Sequence, residues 1–202
     1  MPVMEISEVS NDAAQQITFE QPYAVSVEIV GTAAFLFHRW SVDGIEAKSK
    51  AAKGSKAKKE DDLESYVYRS EDNLLAISTE YIRMAVINAA KFKQDPRSPR
   101  KSAMDLFKAG IVVLDEFASF GVRDWDYIDR RRVTIQRNGI TRHRPALRPG
   151  WKTQAIFQIL LPEYISPALF NEVLQSAGRL VGIGDFRPTF GRFQVTKFEV
   201  MD

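Results

Sequence analysis

Cysteine is absent from this chain of 202 residues, histidine occurs only twice, and no apolar run approaches the roughly 18 residues that a membrane span needs. The first absence excludes disulfides, thiolate chemistry and cysteine-ligated zinc or iron–sulfur centres. With two histidines a histidine-built metal site has too few ligands, so neither a metal nor a cofactor is expected. The N-terminus lacks the base and apolar block of a secretory signal and carries Glu5, Glu8 and Asp12 instead, which points to the cytoplasm and away from the membrane. An apolar fraction of 45% suits one good-sized globular core, with or without a large insertion.

Net charge says little. The 28 lysines and arginines nearly cancel the 26 acids. Their distribution says more: residues 130–152 hold seven arginines, one lysine and no acid, whereas residues 1–22 hold four acids and no base. A segregated basic segment can neutralise phosphates and release counterions even when the total charge is small.

Residues 1–21 show no sustained period and read as a flexible arm. Tyr23, Val25, Val27 and Ile29 then alternate with smaller or polar residues, the period of a half-buried strand. Gly31 in mid-run marks a bulge or a close approach of another group. From Lys48 to Lys59 six lysines precede the acids Glu60, Asp61, Asp62 and Glu64; Lys53 and Lys56 lie in this block. Such a segment is either a solvated loop or a basic finger that closes over a nucleic-acid strand. Tyr66 to Tyr68 and Leu74 to Ile77 flank a turn and read as a small hairpin. Thr79 is a credible cap for a helix whose Ile82, Val86, Ala89 and Ala90 share one face, and Ser102 to Ala109 reads as a second short helix.

Residues 127–147 read as a hairpin whose arms meet at Asn138-Gly139. On its first arm Arg131, Val133, Ile135 and Arg137 share one face, and Arg130, Arg132, Thr134 and Gln136 the other. With Arg142 and Arg144 on the second arm, the hairpin is either a solvated one or, as this density calls for, one that meets a negative partner such as nucleic acid. The last unit is the clearest. A strand from Trp151 to Leu160 is followed by a helix with Ser166 as cap and Pro167 at its first position, then Gly182-Ile183-Gly184, a turn, and a strand from Gly191 to Val200. Those glycines follow a helix, so they are not a dinucleotide fingerprint. They are either a helix cap with a tight turn, or a bare backbone surface flanked by Arg179, Arg187 and Arg192 against which a sugar-phosphate chain could lie.

Three segments carry a resemblance. Gly-Ile-Gly-Asp-Phe-Arg-Pro-Thr-Phe-Gly-Arg-Phe at 182–193 resembles the terminal glycine-rich segment of the repeat-associated mysterious proteins, RNA-binding subunits of CRISPR effectors. Residues 27–40 resemble the first strand of that superfamily's Cas7-like branch, and residues 77–90 its first helix; similar stand-alone proteins are carried by bacteriophages. The resemblance implies an α+β fold, a modified ferredoxin-like βαββαβ domain over residues 22–202, with insertions at about 41–76 and 94–150 serving as finger or thumb, the Asn138-Gly139 hairpin being either a second basic insertion or the middle strands of the sheet. The chain is shorter than a full backbone subunit of that branch.

The expected function is non-catalytic binding of single-stranded RNA or DNA in a prokaryotic host cell, with copies or effector subunits side by side along the strand. Contacts expected are Arg39, Lys53, Lys56, Arg130, Arg131, Arg132, Arg137, Arg142, Arg144, Gly182, Gly184, Arg187 and Arg192, with Trp40, Tyr66 and Tyr68 as stacking groups. One alternative is a phage-encoded mimic that blocks or joins an effector complex. Another is a metal-independent endoribonuclease using His38 or His143 as general acid or base. The resemblance adds Asp43 as a loop aspartate of the kind that cleaves target RNA in some relatives.

Overall fold

Alternating burial builds the first strand, β1 (Tyr23–Gly31), in which every second side chain from Tyr23 onward is buried. In the computed structural model, residues 21–39, 50, 62–135 and 138–201 are described, with the backbone alone at 133–135 and 138–140. Trp40, Asp43, Lys53, Lys56 and Arg137, the lysine segment other than Lys50, and all but the last residue of the N-terminal arm lie outside these residues.

After β1 come the short strand β2 (Phe35–Leu36), a single helical turn at Glu64–Tyr66, and strands β3 (Tyr68–Arg69) and β4 (Leu75–Ser78). Helix α1 (Glu80–Ala90) is followed by a two-stranded hairpin of β5 (Gln94–Asp95) and β6 (Ser98–Ser102), then α2 (Met104–Gly110), β7 (Ile111–Val113) and β8 (Phe117–Ser119). A long ribbon of β9 (Tyr127–Ile135) and β10 (Asn138–Leu147) precedes β11 (Lys152–Ile159), α3 (Pro167–Ser176) with a π turn at Ala177–Val181, and β12 (Phe193–Met201).

The fold is α+β, built on antiparallel sheets. Its central sheet runs β12-β1-β11-β7, with every neighbouring pair antiparallel. The ribbon forms a separate sheet with β2, and β3-β4-β8 forms another. The basic hairpin is therefore not the middle of the central sheet; β7 supplies that sheet's second strand. Val25, Val27, Ile29, Ala155, Phe157 and Ile159 face one side and meet Ile82, Val86 and Ala89 of α1 and Phe170, Val173 and Leu174 of α3. Enclosing an aromatic such as Phe157 or Phe170 stabilises by about 2–3 kcal/mol relative to leaving it in water.

Two local expectations are met and three are revised. Ser166 caps α3, its Oγ accepting the Leu169 amide at 3.3 Å, with Pro167 next in line. Gly31 marks a close approach: Trp151 lies against it, and the Trp151 indole N–H donates to the Ala33 carbonyl at 2.8 Å. The bulge falls earlier, between Glu28 and Ile29, where β1 pairs with β12. Thr79 precedes α1 but does not cap it through its side chain. Its backbone is already helical, at φ −59° and ψ −23°, rather than in the extended conformation of a capping residue, and its hydroxyl donates to the Asp115 carbonyl. In the ribbon Ile135 pairs with Asn138 and Thr134 with Gly139, so Asn138-Gly139 opens β10 instead of forming the turn. Register here follows the buried pairs at the ribbon's base, Asp129 opposite Arg144 and Tyr127 opposite Ala146, and these outweigh turn chemistry.

Candidate nucleic-acid interface

The glycine-rich loop is fixed by backbone geometry. Gly182, Gly184 and Gly191 have φ of 73°, 82° and 69°, a region that side-chain-bearing residues rarely enter. A Cβ would overlap the Gly191 carbonyl region at Gly182, the Phe35 ring at Gly184 and the Ile183 carbonyl at Gly191. The loop's amides are spent inside the protein: Gly182 donates to Ala177, Ile183 to Gly191, Asp185 to Leu36 and Gly191 to Ala34, at 2.8–3.0 Å. Gly182 is buried, and Gly184 borders a cleft. The glycines thus let the loop lie against residues 34–36, and its side chains are what it presents outward.

The ribbon's two faces differ in charge state. Antiparallel pairing sets Arg131 opposite Arg142 and Asp129 opposite Arg144 on one face, and Arg130 opposite His143 and Arg132 opposite Thr141 on the other. The first face turns to the loop and carries its own compensation. Arg131 donates from Nε to both Asp129 oxygens at 2.8 and 3.0 Å and lies over the Phe190 ring at 4.4 Å. Arg144, 4% exposed, pairs with Asp185 of the loop and lies over Phe186 at 5.6 Å. Both acids lie outside the acid-free run, so two of its seven arginines are met by the fold itself. On the second face Arg130 and Arg132 are exposed and, among the described residues, have no ion pair.

At the ribbon's edge the Arg142 guanidinium lies 3.3 Å from His38 Nε2. A guanidinium can only donate, so the imidazole nitrogen accepts. His38 also faces the Tyr66 ring at 5.3 Å, and the Arg39 guanidinium lies over Tyr68 at 4.8 Å. Tyr66 and Tyr68 are half-buried. His38 further borders a cleft of about 370 Å³ with Tyr81, Met84, Asn88, Gly184, Asp185 and Arg187. Burial pushes the Tyr81 hydroxyl up to about 12, with a hydrogen bond to Tyr68 adding to the rise. It stays neutral across the physiological range and keeps a polar edge on an apolar ring. Arg187 is exposed at the mouth, while Arg192 is exposed but donates from Nε to the Pro188 carbonyl at 2.8 Å, bracing the loop.

The structure therefore places His38, Gly184 and Arg187 on one cleft, with Arg142 and Tyr66 in contact with His38 and Tyr68 in contact with Tyr81 and Arg39, and sets Arg130 and Arg132 on the ribbon's opposite face. His143 lies on that opposite face, on the other side of the ribbon from Arg142. Among the described residues no group of three or more histidines, aspartates or glutamates is placed to hold a metal ion, and no helix is long and apolar enough to cross a membrane. Sequence reasoning passed over Tyr81, Met84 and Asn88. They form the stripe complementary to the apolar face of α1, and the same helical period identifies them.

No family model matches the chain, and no curated protein matches it. Among solved structures, it is similar to a chain in the cryo-EM structure of the Type III-B Cmr-beta bound to cognate target RNA. The TM-score is 0.52 at 13% identity, over 90% of this chain and 61% of that one. The chain thus spans about 61% of its neighbour's length, and at this identity the likeness is one of fold.

Proposed function

We propose that this protein binds single-stranded nucleic acid, RNA foremost, without cutting it, as a Cas7-like member of the repeat-associated mysterious protein superfamily. The carrying observation is that outward arginines without acid partners among the described residues, Arg130 and Arg132, share one ribbon with Arg142, which contacts His38 of a cleft that Tyr81 and Arg187 also line. Phosphates are met by the arginines, and bases by the faces of Tyr81, Tyr66 and Tyr68. The order of the central sheet, last strand, first, third, second, with α1 and α3 as the two crossovers, is that of a ferredoxin-like βαββαβ unit and supports this reading. The ribbon and the segment after Arg39 are then the insertions. The RNA bound in the Cmr-beta complex supports RNA over DNA, and neighbouring copies or effector subunits along the strand.

The test is a double variant, Arg130→Gln with Arg132→Gln, titrated against a labelled single-stranded RNA by fluorescence anisotropy. Removing two phosphate contacts should make the slope of log K against log salt shallower by about 1.4, at roughly 0.7 per contact on a single strand. Affinity at low salt should fall about tenfold or more. A variant that keeps the wild-type slope removes the ribbon from the interface.

A further inference from the structure

The β5–β6 hairpin lies outside the surface described above, yet it has the same chemistry. Between Lys91 and Lys101 the chain carries five cations and one acid, Asp95, and the whole of β6 after Ser98 is exposed. Asp95 is consumed locally: Arg97 donates to it from its backbone at 2.9 Å and from its guanidinium at 2.8 and 3.0 Å. Lys93 is paired with Glu172 of α3. Lys91, Arg100 and Lys101 are left exposed and, among the described residues, have no ion pair.

Aromatic faces interleave with this charge. Phe92 is 57% exposed with the Lys91 ammonium 4.8 Å from its ring centre, and Tyr164 is 39% exposed with Arg97 over it at 5.6 Å. An isolated exposed phenylalanine is ordinary; one that pairs with Lys91 at the entry to a hairpin carrying the exposed Arg100 and Lys101 has the composition that single-strand binding uses. The hairpin is rigid enough to hold it. Gln94 bonds the Pro99 carbonyl at 2.6 Å, and the Ala103 amide returns to the Lys93 carbonyl at 2.8 Å.

Helix α1 joins the two places. Tyr81, Met84 and Asn88 border the cleft at spacings of three and four, and Lys91 continues the same stripe because its backbone stays helical, at φ −60° and ψ −24°. Met84 is 42% exposed, so no element of the described protein covers the stripe midway. Asn88 donates from Nδ2 to the Met84 carbonyl at 2.8 Å, which fixes the amide's orientation and directs its Oδ1 elsewhere as an acceptor.

We infer that a single strand seated in the cleft continues along the exposed face of α1 onto the β5–β6 hairpin, where Lys91, Arg100 and Lys101 take phosphates and Phe92 stacks a base. This rests on the reading of the cleft as a nucleic-acid site and extends it by a second contact region. An 11-residue helix spans about 16 Å, the length of roughly five stacked nucleotides at about 3.4 Å each.

The experiment compares single-stranded oligouridines of about 5 and about 15 nucleotides, lengths within the range that compact single-strand binders cover. The proteins are the full chain and its triple variant Lys91→Gln, Arg100→Gln, Lys101→Gln, with Phe92→Ala as a second variant. The triple variant should lose about tenfold or more in affinity for the long strand and shallow its salt slope by about 2, while binding the short strand as the wild type does. Phe92→Ala should weaken the long strand alone, with little change in salt slope. If both variants bind the long strand as the wild type does while the Arg130 and Arg132 variant is weakened, the hairpin is not on the path, and the cleft reading stands. If the wild type binds neither strand, both fall together.

Discussion

Replacing Gly191 with alanine is expected to destabilise the protein by about 2–5 kcal/mol, the sum of left-handed backbone strain and overpacking. Gly191 sits at φ 69°, and a Cβ there would be driven into the Ile183 carbonyl. That carbonyl belongs to backbone and cannot rotate away. Ile183 donates its amide to the Gly191 carbonyl and Gly191 donates to Ala34, so relief of the overlap would have to break one bond or the other. Arg187 lies on the intervening loop, and the loss should reach binding as well as folding. Urea unfolding measures the first effect and RNA titration at a temperature where the variant is still folded measures the second. An alanine variant with the wild-type midpoint would show that the loop tolerates a side chain, against the packing described.

The second large effect concerns Arg144 and Asp185. Asp185→Ala should cost about 2–4 kcal/mol, somewhat less than a fully enclosed ion pair because the Asp185 side chain keeps 26% exposure. The Arg144 side chain is only 5% exposed, and its Nη1 is buried with no hydrogen-bond partner among the described residues. Once the carboxylate is gone, the buried side of the guanidinium has no replacement acceptor. Removing the stranded charge as well, in Arg144→Met with Asp185→Ala, should recover part of the loss, since an apolar chain of similar length fills the space beside Phe186. Equal and additive costs for the two single substitutions would mean that they are not coupled.

Much of this fold was legible in the sequence where period and burial coincide. The alternation of β1 and β11, the Ser166-Pro167 start of α3 and the two helix faces each follow from one-dimensional pattern, because one face of each element meets the core. What was not legible is long-range. Nothing near Arg131 or Arg144 in sequence announces that Asp185, 41 residues beyond Arg144, neutralises one of them. The ribbon's charge therefore reads as wholly unmet until its two faces are separated. The glycines show the same limit from the other side: their number signals an unusual backbone, but only the approach of Phe35 and Ala34 shows that they serve packing first. Thr79 and Asn138-Gly139 misled because their local preferences were overridden, one by the helical backbone that Thr79 adopts and the other by register set at the ribbon's base.

The most direct measurement is the salt dependence of wild-type binding to a short single-stranded RNA. Four arginines without ion pairs among the described residues, Arg130 and Arg132 on the ribbon's outer face, the half-buried Arg142 beside His38 and Arg187 at the cleft mouth, correspond to a slope of log K against log salt of about −3, at roughly 0.7 per phosphate. A slope near that value, with binding tight at low salt, is the expected result. No binding at low salt, or binding that salt leaves unchanged, contradicts single-strand recognition by this surface.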